Sequence, residues 1–113
     1  MGMTPEAKVT KEIIDWLTAG KWRCLRMQSG RFRGMNRSFI NVGEVGMPDW
    51  LCLWYDLDDE PNRGILWIEI KAPGKTISPK QRVWIKAEEA RGATVIIADS
   101  LESFKRSYQE VYG

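Results

Sequence analysis

The sequence predicts an α/β fold, a mixed β-sheet flanked by helices in the order α-β-β-β-α-β-α. Residues 51–55 (Leu-Cys-Leu-Trp-Tyr) and 65–71 (Ile-Leu-Trp-Ile-Glu-Ile-Lys) are apolar runs of strand length. The segment between them, Asp-Leu-Asp-Asp-Glu-Pro-Asn-Arg-Gly, carries strong turn chemistry, so the pair reads as a hairpin. A helical pattern from Pro79 to Arg91 then leads to the β-branched run Thr94-Val95-Ile96-Ile97-Ala98, which makes a right-handed strand–helix–strand crossover. An amphipathic segment at each end supplies the outer helices. No repeat, linker or low-complexity stretch interrupts the chain, and 113 residues fit one domain, 1–113.

The first helix opens at Thr4-Pro5-Glu6. Thr4 can cap, Pro5 suits the first turn and Glu6 favours the positive end of the helix dipole. It runs to about Leu17–Ala19, where Gly20 stops it. Val9, Ile13, Trp16 and Leu17 share its apolar face. Glu6 projects about 35° from the centre of that face, Glu12 about 85° and Asp15 about 145°, so Glu6 is the acid aimed most nearly inward. Trp22 to Met27 reads as a strand with long arginines reaching solvent. Residues 28–37, rich in glycine and arginine, read as a loop, and Ser38 to Val42 as a short strand entering the bend Gly43-Glu44-Val45-Gly46. Ser78-Pro79-Lys80-Gln81 opens the crossover helix with capping-box chemistry, and Gly92 ends it. The run 94–98 reads as a buried strand. Asp99, with Glu102 as its capping-box partner, starts a last helix carrying Leu101, Phe104, Tyr108, Val111 and Tyr112.

Composition removes several chemistries. The chain has no His, so Ser-His triads, His acid–base catalysis and His-ligated zinc are excluded. Cys24 and Cys52 lack metal-site spacing and read as buried reduced thiols. No Walker-type or Rossmann glycine pattern is present, so no nucleotide cofactor is expected. No signal peptide or membrane-length apolar run occurs, which places the protein in the cytoplasm and away from membranes. The net charge of +2 says little, but its distribution says more. Between Trp16 and Gly43 there is no acid, while Lys21, Arg23, Arg26, Arg31, Arg33 and Arg37 all fall there. Ser29, Arg31, Arg33 and Arg37 in the 28–37 loop suit phosphodiester contacts, as a DNA-facing surface needs.

Side chains alternate along a strand, so Ile65, Trp67, Glu69 and Lys71 share one face and Leu66, Ile68 and Ile70 the other. Folding the hairpin back brings Asp49, which follows Gly46-Met47-Pro48, near Glu69 and Lys71. Two carboxylates in one small site repel unless a proton or cation sits between them. A hard divalent ion with oxygen ligands, Mg²⁺ with Mn²⁺ as substitute, resolves that conflict. Lys71 can then orient the attacking water or stabilise developing phosphate charge.

Pro48-Asp49 followed by Glu69-Ile70-Lys71 resembles the PD-(D/E)xK nuclease signature. With Gly46-Met47 before it and Gln81 after it, the pattern is similar to the virus-type replication-repair nuclease (VRR-NUC) family, and the resemblance runs from the Glu6 helix to the strand near Ile96. It implies a restriction-endonuclease-like core and a metal-dependent DNA endonuclease. Asp49, Glu69 and the Ile70 backbone carbonyl would hold the metal, and Glu6 would complete the site through water. On residue chemistry alone Glu6 reads equally as a first-turn acid. Gln81 likewise has two readings, a capping residue by its spacing from Ser78 and an active-site amide by resemblance. Standalone members resemble Holliday-junction resolvases, which implies branched DNA, DNA repair and a C2 homodimer. Trp50, Trp54, Phe104 or Tyr108 are candidates for its interface. The resemblance also implies a phage or prophage source. The competing reading is a non-catalytic DNA-binding or scaffold module that keeps the arginines and binds no metal.

Overall fold

A computed structural model describes residues 2–27, 30–33, 39–60 and 63–113. The elements are α1 (Pro5–Ala19), β1 (Arg23–Arg26), β2 (Gly30–Arg33), β3 (Phe39–Val42), β4 (Trp50–Leu53), β5 (Ile65–Ile70), α2 (Pro79–Ala90), β6 (Thr94–Ala98) and α3 (Leu101–Tyr112). One sheet runs β1-β4-β5-β6, while β2 and β3 pair as a separate antiparallel ladder. With that ladder set aside, the order is the expected α-β-β-β-α-β-α. None of the helices among the described residues is long and apolar enough to cross a membrane.

The hairpin forms as its pattern requires. β4 lies antiparallel to β5 in a register that pairs Trp50 with Ile68 and Leu53 with Ile65, and β6 returns parallel to β5 after α2. Leu66, Ile68 and Ile70 are fully buried in a core shared with Val9, Ile13 and Leu17 of α1 and Phe104 of α3. The opposite face of β5 meets α2, where Trp67 packs edge-on against Trp84 with ring centres 5.0 Å apart. Caps fix the helix starts: Thr4 Oγ1 accepts from the Ala7 N–H at 3.1 Å, and Ser78 Oγ from the Gln81 N–H at 3.2 Å.

Four expectations change. The 28–37 segment is not all loop, because Gly30–Arg33 is strand β2. Its glycine and arginine content hides a strand that is recognisable only with its partner β3. β6 is an edge strand rather than a fully buried one: Ile96 and Ala98 face the core, while Ile97 on the other face is 41% exposed. The cap of α3 is Ser100, whose extended backbone lets its hydroxyl accept from the Ser103 N–H at 3.0 Å. Asp99 instead accepts from the Gly74 N–H and the Ser103 hydroxyl, tying the loop after β5 to the start of α3. Finally, Trp54 and Phe104 are core residues, 7% and 0% exposed, and so cannot form an interface.

Candidate active site

Asp49 owes its position to the bend before it. Gly46 has φ +88°, and a Cβ there would sit 2.4 Å from the Lys80 carbonyl oxygen, so the chain passes directly against the start of α2. The Trp84 indole donates to Glu44 at 3.2 Å and clasps the bend to the same helix. Pro48 is buried. The Asp49 carbonyl then accepts from the Met27 N–H, which holds the start of β4 against the end of β1. One step beyond the last β4–β5 pair, Trp50–Ile68, the register sets Asp49 opposite Glu69. Directly opposed residues of an antiparallel pair present their side chains to the same face.

Glu69 is the one charged residue in the interior among the described residues, at 2% exposure. Its Oε1 accepts from Gln81 Nε2 at 2.8 Å and lies 3.5 Å from Lys71 Nζ. Its Oε2 is buried with no hydrogen-bond partner among the described residues. Burial, and after it the Asp49 carboxylate, pushes the Glu69 carboxyl up from 4.5 to about 7, with Lys71 opposing. A half-satisfied buried carboxylate costs several kcal/mol, about what its removal from water implies, unless something else is meant to bind it.

The capping reading of Gln81 is realised, and the other end of the same amide is engaged as well. Its Oε1 accepts from the Ser78 N–H at 2.8 Å to complete the capping box, and its Nε2 donates to Glu69. An amide offers an acceptor and a donor group, so the roles do not compete. Lys71 is fixed at the backbone, where its N–H donates to the Ala98 carbonyl at 2.9 Å. Backbone groups alternate sides along a strand, so those of Ile70 point toward β4. The residue that would oppose Ile70 there is Pro48, which has no N–H to give. The proline of Gly-Met-Pro-Asp thus leaves the Ile70 carbonyl without a ladder donor, beside the two acids.

Glu6 lies on the other side of Asp49. Both line a cleft of about 400 Å³ that also touches Lys11, Arg26 and Trp50. Glu12 lines a different hollow, near Pro73 and Asp99, and Asp15 is paired with Lys11. Among the described residues, no three acidic side chains gather closely enough to hold an ion together. Asp49, Glu69, Lys71 and Gln81 are therefore brought into one site, and Glu6 shares a cleft with Asp49. Ser29 and Arg37 lie outside the described residues, and of Arg31 and Arg33 only the strand backbone is described. Arg26, in sequence only one member of the basic tract, joins this cleft. It sits opposite Trp50 in the β1–β4 ladder, is exposed, and joins no ion pair among the described residues. Only the pairing of β1 with β4 reveals it, and nothing local signals that pairing.

A mixed sheet with this carboxylate and lysine group at the end of its central strands is the frame of an α/β nuclease-type domain. The VRR-NUC domain model matches residues 7–102, and the chain belongs to that family. A solved structure described as a VRR_NUC domain superposes with a TM-score of 0.72 at 20% identity, over 97% of this chain and 100% of the other. That likeness establishes the fold. No curated protein matches this chain. Family membership makes this a nuclease-type domain and implies DNA as its substrate.

Proposed function

We propose that residues 1–113 act as a single metal-dependent DNA endonuclease domain that hydrolyses phosphodiester bonds. The observation that carries this reading is Glu69, buried, with one oxygen unpartnered among the described residues and its proton affinity raised by burial and by Asp49. Such a group suits a divalent cation, and oxygen-only donors suit Mg²⁺ or Mn²⁺. Asp49, Glu69 and the Ile70 carbonyl would hold it, with Glu6 reached through water. When bound, the ion supplies Lewis acidity toward the phosphoryl oxygens. Gln81 fixes the Glu69 carboxylate in one orientation. Lys71 orients the attacking water and offsets negative charge as it builds on the phosphate. Arg26, with Arg31, Arg33, Arg37 and Ser29, contacts the DNA backbone.

The preferred substrate in this proposal is branched DNA. The described residues of each chain hold one such site, while resolving a four-way junction takes two symmetric incisions, so the active species is a C2 homodimer. Incubation with branched, nicked and linear DNA tests the reading. Cleavage is expected in Mg²⁺ or Mn²⁺ and none in EDTA, with paired incisions on the junction. Normal cutting by Lys71→Ala would overturn it. Gel filtration reads the dimer separately.

Two further outcomes follow. Gln81→Glu keeps an N3 acceptor for the cap but replaces the donor to Glu69 with a second carboxylate. Its Tm should stay within a few degrees while the cleavage rate drops about tenfold or more. Unchanged cleavage at an unchanged Tm would reduce Gln81 to a helix cap. Arg26→Ala, Arg31→Ala and Arg33→Ala should each weaken DNA binding and lower the salt slope by about one, as measured by anisotropy titration at several salt concentrations.

A further inference from the structure

Cys24 and Cys52, 28 positions apart in the sequence, are cross-strand partners in the β1–β4 ladder. The Met27 N–H to Asp49 carbonyl bond makes residues 27 and 49 a hydrogen-bonded pair. Pairs alternate along an antiparallel ladder, so 25 with 51 is hydrogen-bonded and 24 with 52 is not. Non-hydrogen-bonded partners have Cα atoms about 4.5 Å apart and the closer side chains, which lies within the range disulfides span. The two thiols face the same side, and both are free. They are unequal: Cys52 is fully buried, while Cys24 is partly exposed on the sheet's edge strand.

We infer that Cys24 and Cys52 form a redox-active dithiol, oxidised by hydrogen peroxide to a reversible cross-strand disulfide. Cys24, the reachable sulfur, attacks the peroxide. The O–O bond breaks, Cys24 becomes a sulfenic acid, and the other oxygen leaves as water. Cys52 then attacks the Cys24 sulfur. An S–S bond forms, the S–O bond breaks, and the hydroxyl leaves with the Cys52 proton as a second water. The peroxide takes two electrons, one from each sulfur overall. The environment favours Cys24 as the first sulfur to react, because its neighbour Cys52 holds the Cys24 thiol below its usual range while Cys24 and burial push the Cys52 thiol up. The bond would close the loop that carries β2 and β3. It would also fix β1 to β4 three residues from Asp49.

The inference does not depend on the catalytic reading. Its test treats the full chain with hydrogen peroxide, blocks remaining thiols under denaturing conditions and measures intact mass. The expected product has lost two hydrogens, takes up no alkylating agent, stays a single chain without reductant, and reverts in dithiothreitol. Its Tm should rise by on the order of 10 °C. Cys52→Ser should stop at a gain of one or more oxygens or form a disulfide between two chains, and Cys24→Ser should resist oxidation because Cys52 is shielded. Two alkylatable thiols after peroxide, or oxygen addition in place of hydrogen loss in the unaltered protein, would overturn the inference.

Discussion

Glu69→Gln is expected to abolish cleavage and, at pH 8 without divalent ions, to make the protein more stable. The charged Glu69 carboxylate is a liability in the folded state, since it is buried, faces Asp49 and leaves Oε2 unpartnered. Its folded pKa of about 7 stands above the ordinary 4.5, so the folded state binds the proton more tightly than the unfolded. The resulting stability is fully present below about pH 4.5, declines between the two values, and is gone once pH has passed through about 7. In EDTA, the contribution of Glu69 should leave the protein about 2–3 kcal/mol more stable at pH 5 than at pH 8. Glutamine keeps an oxygen for the Gln81 amide, loses the titration and flattens that slope. Cleavage should fall on the order of a thousandfold, as expected when a charged group at the reacting centre is removed. Urea melts at several pH values, with a nicking assay, check both halves. A slope of opposite sign would disprove the burial argument, and retained cleavage would remove Glu69 from the chemistry.

Gly46→Ala is expected to be the most damaging single-methyl change outside the core. The position combines φ +88° with a Cβ site 2.4 Å from the Lys80 carbonyl oxygen and 2.8 Å from its carbon. Left-handed backbone costs an alanine about 1–2 kcal/mol, and overlap with backbone adds about as much again or more, for a total of about 3 kcal/mol. Gly74→Ala is the control, since φ is +80° there but the Cβ meets nothing within 4 Å. It should cost only about 1 kcal/mol. Because the overlap pushes the bend off the start of α2, Gly46→Ala should also slow cleavage beyond any fraction unfolded, by separating Asp49 from Gln81. Equal stability losses at the two glycines, measured by chemical denaturation, would mean that the close approach does not matter.

Much of this site was legible in the sequence because its parts are local. The alternation of 65–71 puts Glu69 and Lys71 on one face, and the turn chemistry of 56–64 folds Asp49 back toward them. The Ser78 to Gln81 spacing announces the capping box. What escaped depends on contacts between distant segments. β1 joins β4 across an intervening pair of strands, so neither Arg26 at the cleft nor the opposed Cys24 and Cys52 carries a local signal. The strand at 30–33 has glycine and arginine where apolar alternation would be expected. Asp99 and Ser100 are both good caps, and only the extended backbone at Ser100 chooses between them. Trp54 and Phe104 read as interface candidates because a sequence does not reveal how much aromatic volume the core takes up.

The two-ended Gln81 amide ties the orientation of the Glu69 carboxylate to the weakest part of any helix, an end turn. Helix ends open and close in sub-global fluctuations at far lower free energy than the whole molecule unfolds. Each such opening at Ser78–Gln81 would release the carboxylate on the central strand while leaving the sheet intact. Under the proposed function, the fraction of time the site is poised to react would be set by how firmly a single turn stays wound, and a melting curve of the whole domain would not report it.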